Sequence, residues 1–204
     1  MEEFLNFQFL LSLLGNITLY DIFLAMPWGN TIDVVTIAGK TLKSVLEHSV
    51  SKYDPNDPDP GGRFVQVSGL ILKYDIRKVP GQRLLSAFTG KPGNPNSWKP
   101  IEDEKSYDVA VPSFLAHGGD QYKMIPEFLK EYKNTGFLDT DLIVAYLQSH
   151  NPLKLPEPGR ITILSSVDYT SSAAVAKTSF SKTSTMLLAF DCCILLFMLL
   201  PFSL

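Results

Sequence analysis

Residues 107–120 restrict the fold more than any other stretch. Residues 107–111 are β-like, and a helix-like run begins near Met124. Between them lie Phe114, His117, the adjacent pair Gly118-Gly119, and Asp120. Such a strand-to-helix loop is a common ligand position, because rigid elements hold both ends. Gly118-Gly119 permits φ > 0 or a close backbone approach. Phe114 could stack on a flat ring, and Asp120 could accept bonds from sugar hydroxyls. On these residues alone a turn with a core Phe and a helix-capping Asp is the better reading, since Gly and Asp are ordinary turn residues.

The rest of the chain mixes strands and helices without strict alternation. Thr18 with Asp21 predicts a capped helix to Ala25, and Pro27-Trp28-Gly29-Asn30 predicts a turn. Residues 31–37 are β-branched and strand-like, and Ala38-Gly39 breaks them. Residues 41–53 have Leu42, Val45, Leu46 and Val50 at helical spacing, with Lys43, Glu47 and Lys52 outward. His48 reads as a solvated or capping residue, having no second ligand one turn away. Residues 54–62 form a Pro/Gly/Asp loop whose carboxylates lack EF-hand spacing. Residues 63–76 predict one strand, or two bent at Gly69. Further strands are predicted at 83–88, 107–111 and 160–164, with loop at 89–100. Helices are predicted at 124–132, with Ile125, Phe128, Leu129 and Tyr132 on one face, and from Asp139 or Thr140 to Gln148. The pattern predicts an α+β (mixed α/β) fold, a mixed sheet with flanking helices.

The 204 residues, 45% hydrophobic and 19% charged, suit one globular domain with tails. A net charge of -3 gives no basic field, so nucleic-acid binding through phosphates is not expected. Both cysteines, Cys192 and Cys193, lie in the apolar C-terminal tail, so no disulfide or thiolate metal site is expected in the globular part. The three histidines, His48, His117 and His150, lack metal spacing, and the chain has no H-E-x-x-H, G-x-S-x-G, P-loop or G-x-G-x-x-G. His117-Gly118-Gly119-Asp120 is only superficially like the D-x-H-G run of metallophosphoesterases. The chain is not expected to carry its own metal centre or cofactor.

The two ends differ from the middle. Residues 1–14 contain an apolar run, but Glu2 and Glu3 stand where a signal peptide needs basic residues. Asn16-Ile17-Thr18 is a glycosylation sequon, with Asn16 as acceptor. Residues 165–186 are Ser/Thr-rich, and residues 187–204 are apolar to the end apart from Asp191. This resembles a GPI-anchor signal, in which the tail is removed and a small residue, Ser171 or Ser172, carries the anchor. A transmembrane helix is the weaker alternative. The run is at the short limit for a span, Pro201 interrupts it, and no Lys or Arg follows.

Taken in order, Gly15-Asn16-Ile17-Thr18, Pro27-Trp28-Gly29-Asn30, Leu46-Glu47-His48-Ser49, Phe64-Val65-Gln66-Val67-Ser68-Gly69, Pro80-Gly81-Gln82-Arg83 and Phe114-Leu115-Ala116-His117-Gly118-Gly119-Asp120 resemble the C-terminal domain of the 5'-nucleotidases. The pattern is most similar to GPI-anchored animal ecto-enzymes and related apyrases, and it covers residues 15–164. The resemblance implies a nucleoside-binding domain that partners a metallophosphoesterase domain holding two divalent metal ions, usually zinc. It implies that a nucleobase stacks between Trp28 and Phe114, and that Asp120 bonds the ribose. Trp28 replaces the family's Phe, and His117 replaces its Asn. The substrate implied is a nucleoside 5'-monophosphate such as AMP, at the extracellular face of the plasma membrane, with homodimerisation as a family feature.

Residues 1–14 lack the family's N-G-G-G-I-R stretch, and the metal domain is not in the sequence. The chain alone is therefore expected to be an inactive, truncated part of a longer enzyme. Two alternatives are a membrane-anchored nucleoside-binding protein without catalysis, and part of an apyrase-type di- or triphosphate hydrolase.

Overall fold

A computed structural model describes residues 16–57, 62–152 and 158–165, together with the backbone of residues 196–199. The helices are α1 (Leu19–Ala25), α2 (Gly39–Ser49), α3 (Ser113–Ala116), α4 (Met124–Glu127) and α5 (Asp139–Ser149). The strands are β1 (Ile32–Ala38), β2 (Gln66–Ser68), β3 (Leu70–Asp75), β4 (Leu84–Thr89), β5 (Lys99–Pro100), β6 (Ser106–Pro112), β7 (Leu129–Lys133), β8 (Ile161–Leu164) and β9 (Leu196–Leu199). Two sheets form, in the orders β2-β9-β6-β1-β7 and β5-β4-β3-β8. The mixed α/β expectation holds. Among the described residues no helix is long and apolar enough to cross a membrane.

Most elements follow from local chemistry. Thr18 caps α1 through a capping box: its hydroxyl accepts from the Asp21 amide, and the Asp21 carboxylate accepts from the Thr18 amide at 2.8 Å. The Thr18 hydroxyl also donates to that carboxylate at 2.6 Å, and these bonds hold the Asp21 carboxyl below its ordinary range. Helix α2 buries Leu42, Val45 and Leu46 against the sheet. It begins two residues earlier than its periodicity suggests, because Gly39 turns directly out of β1. A Cβ there would lie 2.0 Å from the Glu102 carbonyl oxygen, so only glycine fits this turn. Gly69, at φ +73°, separates β2 from β3, and the two strands join different sheets. The core lies between the sheets and α2, with Val35, Ile37, Leu46, Leu72, Tyr74, Val109 and Leu115 at its centre.

Several local expectations are corrected. Glu47 is half-buried rather than simply outward. Its carboxylate accepts the backbone N–H groups of Gly81, Arg83 and Leu84 at 2.5–2.9 Å. Arg83 in turn donates to the carbonyls of Val50 and Tyr53, just beyond the end of α2. The loop at 89–100 contains a short 3₁₀ turn, Pro95–Ser97, and strand β5. Asp139 is not the cap of α5. Leu138 occupies that position, and Asp139 begins the helix.

The helix predicted over 124–132 is one turn long. It stops at Phe128, and Leu129–Lys133 becomes β7, antiparallel to β1. The apolar spacing there is compatible with a helix, but β1 has a free edge whose backbone groups need partners, and that ladder wins. In the tail, four residues form β9, parallel to β2 and antiparallel to β6.

Candidate functional site

The antiparallel register of β1 and β6 sets Ile32 opposite Pro112. The turn before β1 and the loop after β6 therefore leave the sheet at the same end. Ser113 knits them together. Its N–H donates to the Thr31 carbonyl at 2.7 Å, and its hydroxyl accepts from the Thr31 N–H at 3.3 Å. The same hydroxyl lies 3.4 Å from the Asn30 side-chain oxygen, to which it donates. The far side of the turn is tied to α5, where the Asp139 N–H donates to the Asn30 carbonyl at 2.9 Å. Burial pushes the Asp139 carboxyl above its ordinary range.

Two large rings project from these joined segments. Trp28 is 53% exposed, ahead of Gly29 at φ +61°, and Phe114 is 44% exposed in the first turn of α3. The core-Phe reading of Phe114 is thereby excluded. Its neighbour Leu115 points inward and is fully buried. Exposed aromatics on a braced scaffold lose little conformational freedom when a flat ligand covers them.

The loop that follows is strained in a defined way. Gly118 has φ +87°, and the non-glycine residues Asp120 and Gln121 have φ +48° and +66°. Left-handed conformations cost of order 1–3 kcal/mol for such residues and persist only where the surroundings impose them. The close approach expected of the glycine pair is to Phe114 itself. A Cβ on Gly119 would lie 2.5 Å from the ring, so the glycine lets the ring lie flat on the loop backbone. Asp120 is half-buried and no helix cap uses its side chain. Tyr122 anchors the loop: it is fully buried, its N–H donates to the Gly119 carbonyl, and its hydroxyl donates to the Arg63 carbonyl at 2.6 Å.

His117 is exposed, with Nδ1–H donating to the Ser113 carbonyl at 2.7 Å. Its ring meets Tyr132 edge-on at 5.7 Å. The Tyr132 hydroxyl donates to Asp33 at 2.6 Å, and this bond to the carboxylate raises the phenol pKa. Asp33 is fully buried in β1 and also accepts the Thr135 N–H at 3.3 Å. Sequence reasoning missed Asp33 and Tyr132 as neighbours of the site. The signal for Asp33 was present, a carboxylate inside a β-branched strand. The signal for Tyr132 was not, because it depends on β7 being a strand.

The structure thus brings Trp28, Phe114, His117, Gly118, Gly119 and Asp120 to one end of the β1–β6 pair. Asn16 is exposed ahead of α1, as a sequon acceptor must be. Ser171 and Ser172 lie outside the described residues. Among the described residues no three His, Cys, Asp or Glu side chains group to hold a metal.

Comparison with known proteins identifies the family. The profile of the 5'-nucleotidase C-terminal domain matches residues 5–127. An apyrase from Tabanus yao is 36% identical over 152 residues, which are 74% of this chain and 27% of that protein. A 5'-nucleotidase from Homo sapiens is 34% identical over 149 residues, 72% of this chain and 25% of that protein. The crystal structure of a 5'-nucleotidase precursor from Thermus thermophilus superposes with a TM-score of 0.66 at 30% identity, over 72% of this chain and 28% of that one. The chain spans about a quarter of the length of these relatives. It belongs to the 5'-nucleotidase family, as a form of that family's C-terminal domain.

Proposed function

We propose that this domain recognises the nucleoside part of a nucleoside 5'-monophosphate such as AMP, within a cell-surface 5'-nucleotidase. The observation that carries the reading is the pair of exposed rings, Trp28 and Phe114, on segments joined through Ser113, with Asp120 in the same loop. A base between the rings would gain about 1–3 kcal/mol from stacking on each aromatic side chain. The Asp120 carboxylate would accept from ribose hydroxyls in charge-assisted bonds. Two divalent metal ions, if held by a metallophosphoesterase domain as the resemblance implies, would supply the activation of water for hydrolysis there. The residues of this chain bind and orient the nucleoside. The exposed sequon at Asn16 supports a glycosylated protein, and the composition of the tail, with Ser171 or Ser172 as attachment residue, supports a GPI anchor at the extracellular face; removal of the tail would take β9 out of its place between β2 and β6.

The test is calorimetric titration of the chain with adenosine and AMP, beside Trp28→Ala and Phe114→Ala. Weakened binding in both variants is expected, and parental affinity in both would sink the stacking reading. Incubation of this chain with AMP and zinc is expected to release no phosphate. A second reading, an apyrase-type domain, rests on the 36% identity to the Tabanus yao protein, which a snake venom 5'-nucleotidase from Macrovipera lebetinus equals. It predicts that ADP competes with adenosine more strongly than AMP does.

A further inference from the structure

We infer that His48 is a positioning residue for the nucleoside site, acting through the backbone of Asp120. This rests on the proposed role of Asp120 at the ribose. His48 lies in the last turn of α2, far from the loop in sequence and with no obvious part in stacking or ribose binding. Its Nε2–H donates to the Asp120 carbonyl oxygen at 3.0 Å. The same ring meets the fully buried Tyr122 edge-on, with centroids 4.6 Å apart.

The bond falls where the loop most needs it. Asp120 and Gln121 are both left-handed and are not glycine, so the free chain favours other conformations there. The Tyr122 N–H closes the turn from one side by donating to Gly119. His48 holds the Asp120 carbonyl from the other side, and with it the peptide that aims the Asp120 side chain. Helix α2 is braced in turn, with Leu42, Val45 and Leu46 buried beneath it and Glu47 and Arg83 joining its end to β4. The core thereby transmits its rigidity to one carboxylate. Preorganising that carboxylate lowers the ordering cost of binding.

The experiment uses the full chain, with adenosine as the probe. His48→Phe keeps a ring edge on Tyr122 and loses the donor, whereas His48→Gln keeps an N–H near the Nε2 position. Three measurements are made: affinity by calorimetry, melting temperature, and amide exchange over residues 118–122. His48→Phe should weaken adenosine binding about three- to ten-fold, the scale of one lost hydrogen bond. It should also speed exchange in the loop, and His48→Gln should recover most of both losses. Parental affinity in His48→Phe, or no recovery in His48→Gln, overturns the inference.

Asp120→Ala separates this failure from failure of the site itself. If Asp120→Ala binds adenosine as the parent does, the ribose reading falls. If only Asp120→Ala is impaired, the role of His48 falls. Nitrogen NMR of the unsubstituted chain adds a test that needs no variant to fold. The proton of neutral His48 should reside on Nε2, and a proton on Nδ1 would overturn the assignment.

Discussion

Two strand-to-helix junctions sit at opposite ends of one antiparallel strand pair, and glycine serves a different purpose in each. At the end of β1, Gly39 turns the chain into α2 against the Glu102 carbonyl, and the junction is sealed. At the end of β6, the chain passes through α3 into a loop with an exposed ring on Gly119 and two left-handed residues. The first junction stores stability. The second gives up some stability to keep an aromatic face and a carboxylate in view, as ligand loops commonly do.

The largest expected effect lies at the sealed junction. Gly39→Ala sets a Cβ 2.0 Å from the Glu102 carbonyl oxygen, a backbone atom that cannot swing aside as a side chain can, and should cost about 3 kcal/mol in denaturant unfolding, the upper end for overpacking. A loss under about 1 kcal/mol would mean that this junction is looser than it looks. The exposed rings should behave in the opposite way. Trp28→Ala or Phe114→Ala should reduce adenosine binding by about 1–3 kcal/mol, yet shift unfolding by only about 0.5 kcal/mol. A large stability loss in either would return that ring to the core.

Gly119→Ala should fall between these limits. The new methyl meets the far end of an exposed, movable ring. Stability should therefore drop by about 1 kcal/mol, while affinity falls because the Phe114 plate is tilted. Equal stability losses in Gly39→Ala and Gly119→Ala would erase the contrast between the junctions.

The smallest effect separates the body of the fold from the loop. The Arg77 guanidinium hydrogen-bonds Asp75 at the end of β3 and holds its carboxyl at about 2, below the ordinary 3.8. A depressed folded pKa adds stability that is complete above the ordinary value and is lost as pH falls through about 2. The stability difference between the parent and Arg77→Gln should therefore be constant above about pH 5 and shrink between about pH 4 and 2. A difference that grows on acidification would contradict the assigned pairing.

Much of this arrangement was legible in residue order. The capping box of Thr18 and Asp21, the amphipathic stripe of α2 and the β-branched run of β1 each depend on contacts within a few positions. The order of Pro27-Trp28-Gly29-Asn30 and Phe114 to Asp120 marked the two segments that carry the candidate site. Three things were not legible, because each depends on a partner far along the chain. Leu129–Lys133 is a strand only because β1 offers an edge. Glu47 binds backbone amides only because residues 81–84 come within its reach. His48 reaches Asp120 only because α2 packs beside the loop. Local propensity decides where elements start and what their faces carry. Long-range pairing decides which exposed ring, which carboxylate and which imidazole stand together, because backbone and polar groups take whatever partners the packed core brings within reach.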